Sequence, residues 1–171
     1  SSGHLALLEQ NFRLPFDALT LQHFDIVLHS GSLIAILLYF GKTWLQLLKH
    51  PLTKAKHEHS PLLLLLIIGT LPAAVAGFFG EEWLALHGRT PLALGIGFLI
   101  TGAFLLASSF YAAHCPGRER TTWKQVLGMG IAQALALFPS ISRSGVTIAS
   151  GSFLGLSMHR ATEVSFLLSA P

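Results

Sequence analysis

The sequence predicts an all-α membrane protein whose helices cross the bilayer several times. Two observations carry that prediction. Hydrophobic residues make up 51% of the chain and charged residues only 11%, against about 25% charged in ordinary soluble domains. The apolar residues also gather into three long runs, 24–40, 62–80 and 91–113. These meet or approach the roughly 20 residues that a helix needs to cross a bilayer. The second and third runs contain no charge at all. All 171 residues therefore read as one integral membrane domain.

Charge and cysteine content narrow the class further. A net charge of +3 in such a chain reflects loop bias, so a lipid bilayer is expected as partner and a nucleic acid is not. Cys115 is the only cysteine and has no partner for an internal disulfide. No charged segment precedes an apolar stretch at the start, so no signal peptide is visible. Ser1 in place of an initiator Met, and Pro171 inside the short apolar run 164–171, read as the ends of a piece of a longer protein.

Basic residues in short loops mark the cytoplasmic side of a membrane protein. The stretch 41–61 carries Lys42, Lys49, Lys54 and Lys56, and 114–124 carries Arg118, Arg120 and Lys124. The intervening stretch 81–90 has Arg89 beside Glu81 and Glu82. The alternation predicts that 62–80 runs outward and 91–113 back inward, with 24–40 running inward before them.

After Lys124 the pattern changes. An apolar stretch of about 14 residues, near 21 Å as a helix, ends in Pro139-Ser140-Ile141-Ser142-Arg143-Ser144-Gly145. Polar irregular backbone at membrane depth survives only when buried in protein or lining a water-filled cavity. A second short apolar piece, 146–158, precedes His159 and Arg160. The segment 125–158 is therefore read as a re-entrant hairpin that turns at 139–145 and returns to the side it left; a complete span through 139–158 is the rival reading. A further span begins at 161–171.

The start of the chain echoes this hairpin. Ser1-Ser2-Gly3-His4 aligns with Arg143-Ser144-Gly145-Val146, and each is followed by a carboxylate in apolar company, Asp25 in one copy and Glu163 in the other. Three spans between the copies reverse the topology, which gives the inverted-repeat architecture of many transporters, with the site where broken helices meet.

Arg143 is the most informative residue. A guanidinium within a membrane segment costs at least about 2.5–3.5 kcal/mol on insertion scales and is a functional-site hypothesis by default. Ser142, Ser144 and Thr147 supply hydroxyls beside it, and Gly145 lets backbone amides approach a ligand. The first amides of a helix starting there lack intrahelical partners and can point at an anion; arginine matches phosphate oxygens with a two-pronged geometry. Together these describe an oxyanion cradle. A plainer reading pairs Arg143 with a buried carboxylate such as Glu163, and a carboxylate so placed could also orient it.

His4, in the first copy, is a candidate for proton transfer or direct attack on phosphorus. His29 lies one turn after Asp25, so both are expected to face the protein interior, in a structural or a supporting role. His50, His57 and His59 sit in a Lys-rich stretch and read as solvated, and no HExxH or CxxC spacing marks a metal site. Pro72 is expected to kink the second span. Ala73 with Gly77, and Gly151 with Gly155, have small-xxx-small spacing suited to helix packing. Trp44, Trp83 and Trp123 fall where interfacial aromatics belong.

The run Phe138-Pro139-Ser140-Ile141-Ser142-Arg143-Ser144-Gly145-Val146-Thr147 resembles the Pro-Gly-x-Ser-Arg-Ser-x-x-Thr motif of the undecaprenyl-diphosphate phosphatases of the bacitracin-resistance type. Ser1-Ser2-Gly3-His4-Leu5 is similar to the end of that family's first motif. The likeness extends to Gln133, to Gly69-Thr70-Leu71-Pro72-Ala73 and to Glu163-Val164-Ser165-Phe166-Leu167-Leu168, in order along the chain.

The resemblance implies hydrolysis of undecaprenyl diphosphate to the monophosphate and inorganic phosphate. That reaction recycles the lipid carrier for cell-wall synthesis and confers bacitracin resistance. It implies a site open to the periplasmic face of the inner membrane. On the matching positions, Arg143 holds the diphosphate with Ser142, Ser144, Gly145 and Thr147; Ser2 and Gly3 join them, and His4 and Ser1 are candidates for nucleophile or general base, with Asp25, His29, Gln133 and Glu163 in support. It also implies a divalent cation, magnesium or calcium, on two glutamates upstream of Ser1, further helices after Pro171, and a homodimer as a further expectation. Ser140 departs from the family's usual Gly, which puts the cradle's geometry in doubt. A polyprenyl-phosphate transporter or flippase is the alternative function. The membrane acid phosphatases, with Pro-Ser-Gly-His and Ser-Arg-x₅-His motifs, fit poorly, because their second histidine falls on Ala149.

Overall fold

The structure is a computed structural model that describes residues 4–5, 18–49, 62–87, 90–138 and 140–169. Among these, seven helices of nine residues or more form and no strand does: α1 (Ala18–Tyr39), α2 (Gly41–Lys49), α3 (Leu62–His87), α4 (Pro91–His114), α5 (Trp123–Leu135), α6 (Arg143–Phe153) and α7 (Met158–Leu167).

Two stretches are long and apolar enough to cross a membrane, Leu62–Gly80 in α3 and Pro91–His114 in α4, and in each only 22% of the apolar window is buried. A core helix of a soluble protein would be mostly covered. Here Phe78, Phe79, Leu92 and Leu99 are exposed over three quarters or more of their surface, an apolar face that suits lipid. The apolar part of α1, His23–Tyr39, is shorter, although all 22 residues of the helix extend about 33 Å.

Local chemistry sets the helix ends. Pro91 opens α4 after Thr90, whose Oγ1 accepts the Ala93 amide at 3.3 Å. Gln125 Oε1 accepts the Thr122 amide at 2.9 Å at the start of α5. Ser157 caps α7 by accepting from the Arg160 amide. The end of α6 is a Schellman turn: the Leu156 amide donates to Gly151 and the Gly155 amide to Ser152, with Gly155 at φ +86°. Only glycine adopts that left-handed conformation without cost.

The core lies between α3, α5 and α7, where Leu62, Leu65 and Leu66 meet Val126, Met129, Val164 and Leu167. At the crossing of α3 and α5, a Cβ on Gly130 would run into the carbonyl oxygen of Gly69 and stand 3.0 Å from its Cα. The two backbones therefore touch through glycine.

Three sequence expectations change. The Lys-rich stretch after 40 is not a loop from its start: 41–49 is helical, with Trp44 packed partly against the core and Lys42 exposed. Gly155 serves a turn rather than a helix face, and open space surrounds it. The close crossing uses Gly69 and Gly130, whereas a Cβ added at Gly77 would stand 3.9 Å from Leu137, in ordinary contact. Pro72 lies inside α3.

Candidate anion-binding site

α5 and α6 form a tight antiparallel hairpin. At its open end, Gln125 Nε2 at the start of α5 donates to Leu154 O at the end of α6, 2.9 Å away. Beside it, Arg118 and residues 155–157 exchange two backbone bonds, Arg118 N to Gly155 O at 2.9 Å and Ser157 N to Arg118 O at 3.0 Å. At the closed end, α5 unwinds through tight i→i+3 turns, with the amides of Leu137, Phe138 and Ile141 bonded to Ala134, Leu135 and Phe138.

α6 then starts at the Ser-Arg-Ser sequence. Ser142 is its N-cap, its Oγ accepting the Gly145 amide at 3.2 Å and lying 3.5 Å from Ser144 Oγ. The amides of Arg143 and Ser144, at the first two helical positions, have no partner among the described residues. The Arg143 side chain is exposed and makes no hydrogen bond or ion pair among them either. Two amides and a guanidinium without a partner among the described residues share one corner with the positive end of a helix dipole, which is the chemistry of an anion site. Replacing the cap, Ser142→Ala, is expected to lower stability by about 1 kcal/mol, read as a lower thermal midpoint of the purified protein in detergent; an unchanged midpoint would remove the cap's structural role.

The corner is seated on α4. Thr101 Oγ1 accepts the Ser142 amide at 3.1 Å, and Ser140 Oγ donates to Ala93 O at 3.0 Å. His4 packs its ring against Phe98 of α4, with centroids 4.6 Å apart. Phe98 and Thr101 are neighbours one turn apart on that helix, so the same stretch of α4 carries both the histidine and the Ser-Arg-Ser corner.

The remaining candidates fall elsewhere. Ser1, Ser2 and Gly3 lie outside the described residues. Thr147, expected in the cradle, is fully buried in the contact of α6 with α7; its Oγ1 donates to Arg143 O at 2.7 Å and lies 2.6 Å from Ser165 Oγ. Its hydroxyl is taken up by these partners because it sits one turn further along the helix, on the packed face. Glu163 does not pair with Arg143: Arg160 holds it at 2.6 Å and also donates from Nε to Thr121 Oγ1. His29 is exposed rather than interior, its Nδ1–H donating to Asp25 O at 2.7 Å. Asp25 Oδ1 is buried with no hydrogen-bond partner among the described residues, as is Oε1 of the buried Gln133. Among the described residues no group of three or more His, Cys, Asp or Glu side chains could hold a metal ion, so by themselves they do not fit a cation site.

Sequence reasoning placed Ser140 in the turn but missed Gly97 and Thr101 as parts of this corner. The one available signal was the departure at Ser140. Its hydroxyl is almost fully buried, and it occupies the space that a side chain at Gly97 would need.

Comparison with known proteins gives the family of the chain. The family described as bacitracin resistance protein BacA matches residues 1–171. An undecaprenyl-diphosphatase of Elusimicrobium minutum is 39% identical over the whole chain, which covers 64% of that relative. One of Pelotomaculum thermopropionicum is 37% identical, with the same 64% covered. Undecaprenyl-diphosphatase 3 of Bacillus cereus is 37% identical, with 62% covered. The chain thus spans a little under two thirds of the length of these relatives, and it belongs to the bacitracin resistance protein BacA family.

Proposed function

We propose that the protein is an integral membrane phosphatase that hydrolyses undecaprenyl diphosphate to undecaprenyl phosphate and inorganic phosphate, recycling the carrier lipid of cell-wall synthesis. The observation that carries this reading is Arg143 at a helix start, its guanidinium and the first two amides without a partner among the described residues, in a chain whose relatives bear the name undecaprenyl-diphosphatase.

In this reading the terminal phosphate docks at the corner of α6. Arg143 grips two of its oxygens, and the amides of Arg143 and Ser144 face the charge that builds on the phosphoryl group in the transition state. Ser142 and Ser144 offer hydroxyls within the same turn. His4, held beside Phe98, either attacks phosphorus or takes a proton from the attacking group, which is then Ser1 or water. The apolar tail leaves along the exposed faces of α3 and α4. A divalent cation, magnesium or calcium, would neutralise part of the diphosphate charge when bound, on carboxylates other than the described ones.

The basic residues around α2 and between α4 and α5 orient the protein in the bacterial inner membrane by the positive-inside rule. The α5–α6 hairpin is then a re-entrant dip. The Ser-Gly-His segment at the start would enter from the periplasmic side as its inverted counterpart, in a protein that pairs as a homodimer.

The deciding experiment uses the full-length protein, purified in detergent and supplied with undecaprenyl diphosphate. Release of inorganic phosphate is expected with no membrane present. A folded protein that releases none, but moves the lipid between leaflets of a vesicle, would replace this reading with the flippase.

A further inference from the structure

We infer that one face of α4, formed by Ala93, Gly97 and Thr101, is the positioning element of the Ser-Arg-Ser corner, with Thr101 as its positioning residue. The inference rests on the hydrolase reading for its kinetic consequence and on the hydrogen bonds alone for its structural one.

The three residues are spaced by four and so lie along one stripe of the helix. Each meets the corner in a different way. Ala93 O accepts from Ser140 Oγ at 3.0 Å. Gly97 leaves room for that serine: a Cβ there would collide with Ser140 Oγ and stand 2.7 Å from its Cβ and 3.1 Å from its backbone carbon. Thr101 donates its hydrogen to Gly97 O at 2.9 Å and accepts the Ser142 amide at 3.1 Å. A hydroxyl has one hydrogen. With that hydrogen committed to its own helix, the Thr101 oxygen is held as an acceptor aimed at Ser142. On its other side, Thr101 Cγ2 lies 3.0 Å from where a Cβ on Gly145 would stand.

The chain on both sides of Ile141 is therefore pinned to α4, and the pinned residues frame the start of α6. Arg143 gains no contact from Thr101. What Thr101 fixes is the peptide plane between Ile141 and Ser142, one residue ahead of Arg143, and through it the N-cap from which the next amides take their directions. A site of this kind needs its groups held within about 0.5 Å and 10–20°, and a misplacement near 1 Å can cost about 100-fold in rate. Ser140 belongs to the same device. Its side chain fills a notch that only glycine at 97 provides, so the two residues form a matched pair.

The test uses the full-length protein with undecaprenyl diphosphate, comparing Thr101→Val with Thr101→Ser. Valine keeps the shape and removes the acceptor; serine keeps the acceptor. Thr101→Val is expected to lower kcat per folded enzyme by about 10–100-fold with KM changed by less than about 3-fold, because the amides act on charge that develops only in the transition state. Thr101→Ser is expected to stay within about 3-fold of the parent, the acceptor being retained. Backbone amide exchange across 140–145 should accelerate in the valine variant and not in the serine one. In a second cycle, Gly97→Ala should lose activity and Gly97→Ala with Ser140→Gly should regain at least about 5-fold of it, the sign of coupled neighbours. Parental kcat and exchange in Thr101→Val, or a double variant no better than Gly97→Ala, would overturn the inference. A parent protein inert toward undecaprenyl diphosphate would sink the hydrolase reading instead, and the exchange data would still decide whether Thr101 holds the corner.

Discussion

Full-length protein carrying Arg143→Ala is expected to release phosphate from undecaprenyl diphosphate about 10²–10³-fold more slowly than the parent, the range for losing one preorganised donor at a developing oxyanion. The expectation follows from what Arg143 does not do. Its side chain is exposed and makes no bond among the described residues, so its removal strands no partner among them. Ser142 still caps the helix through the Gly145 amide. Stability should therefore move by less than about 0.5 kcal/mol, as for surface sites away from special features. A large loss of rate with an unmoved thermal midpoint is the signature of a ligand-binding arginine. Arg143→Lys should recover only a small part of the rate, because an ammonium offers one compact charge where the guanidinium offers a planar fork. Near-parental turnover in the alanine variant would mean that the diphosphate docks elsewhere.

Much of this protein is legible along its sequence, and the division between what is and what is not has a physical cause. The runs 62–80 and 91–113 stand out because they lack charge, and the apolar windows within α3 and α4 begin at the same residues, Leu62 and Pro91. The Ser-Arg-Ser corner stands out because arginine and serines interrupt an apolar stretch. Ser142, Arg143, Ser144 and Gly145 indeed open one helix together. These are properties of short segments. The partners of those segments are not. That Thr147 belongs to Ser165 depends on which helix faces meet. The Glu163 pair was open to local reading, because Arg160 stands three residues before it on one helix, a spacing that brings side chains together. The helix 41–49 was hidden for another reason: lysines among leucines read as a polar loop when counted, and as an amphipathic helix only when placed at 100° per residue. Ser140 shows both sides. Its departure from the family's glycine suggests a strained turn, yet it is accommodated by a glycine 43 positions earlier in sequence, at 97.

Substitution at that other kind of glycine, one that lets two helices touch, should have the largest effect on stability. Gly130→Ala is expected to destabilise the full-length protein by about 3 kcal/mol, at the upper end for overpacking a core. The new methyl would meet the Gly69 carbonyl oxygen, with the carbonyl carbon 2.9 Å away and Cα at 3.0 Å. All three are backbone atoms, so no side chain can turn aside, and α3 and α5 must separate. Gly69 itself is wedged between Leu168 and Val126, each 2.7 Å from a Cβ built on it, so α3 has little freedom to yield. Because α5 leads directly into the turn that ends at Ser142, the displacement should also reach the corner and lower turnover. Gly95→Ala in α4 is the control: nothing lies within 4 Å of its added methyl, and helix propensity predicts a gain of about 0.5–1 kcal/mol. Thermal unfolding at one detergent and one scan rate orders the two variants on opposite sides of the parent. If Gly130→Ala melts with or above Gly95→Ala, the two helices do not touch through their backbones, and the floor beneath the Ser-Arg-Ser corner is built in some other way.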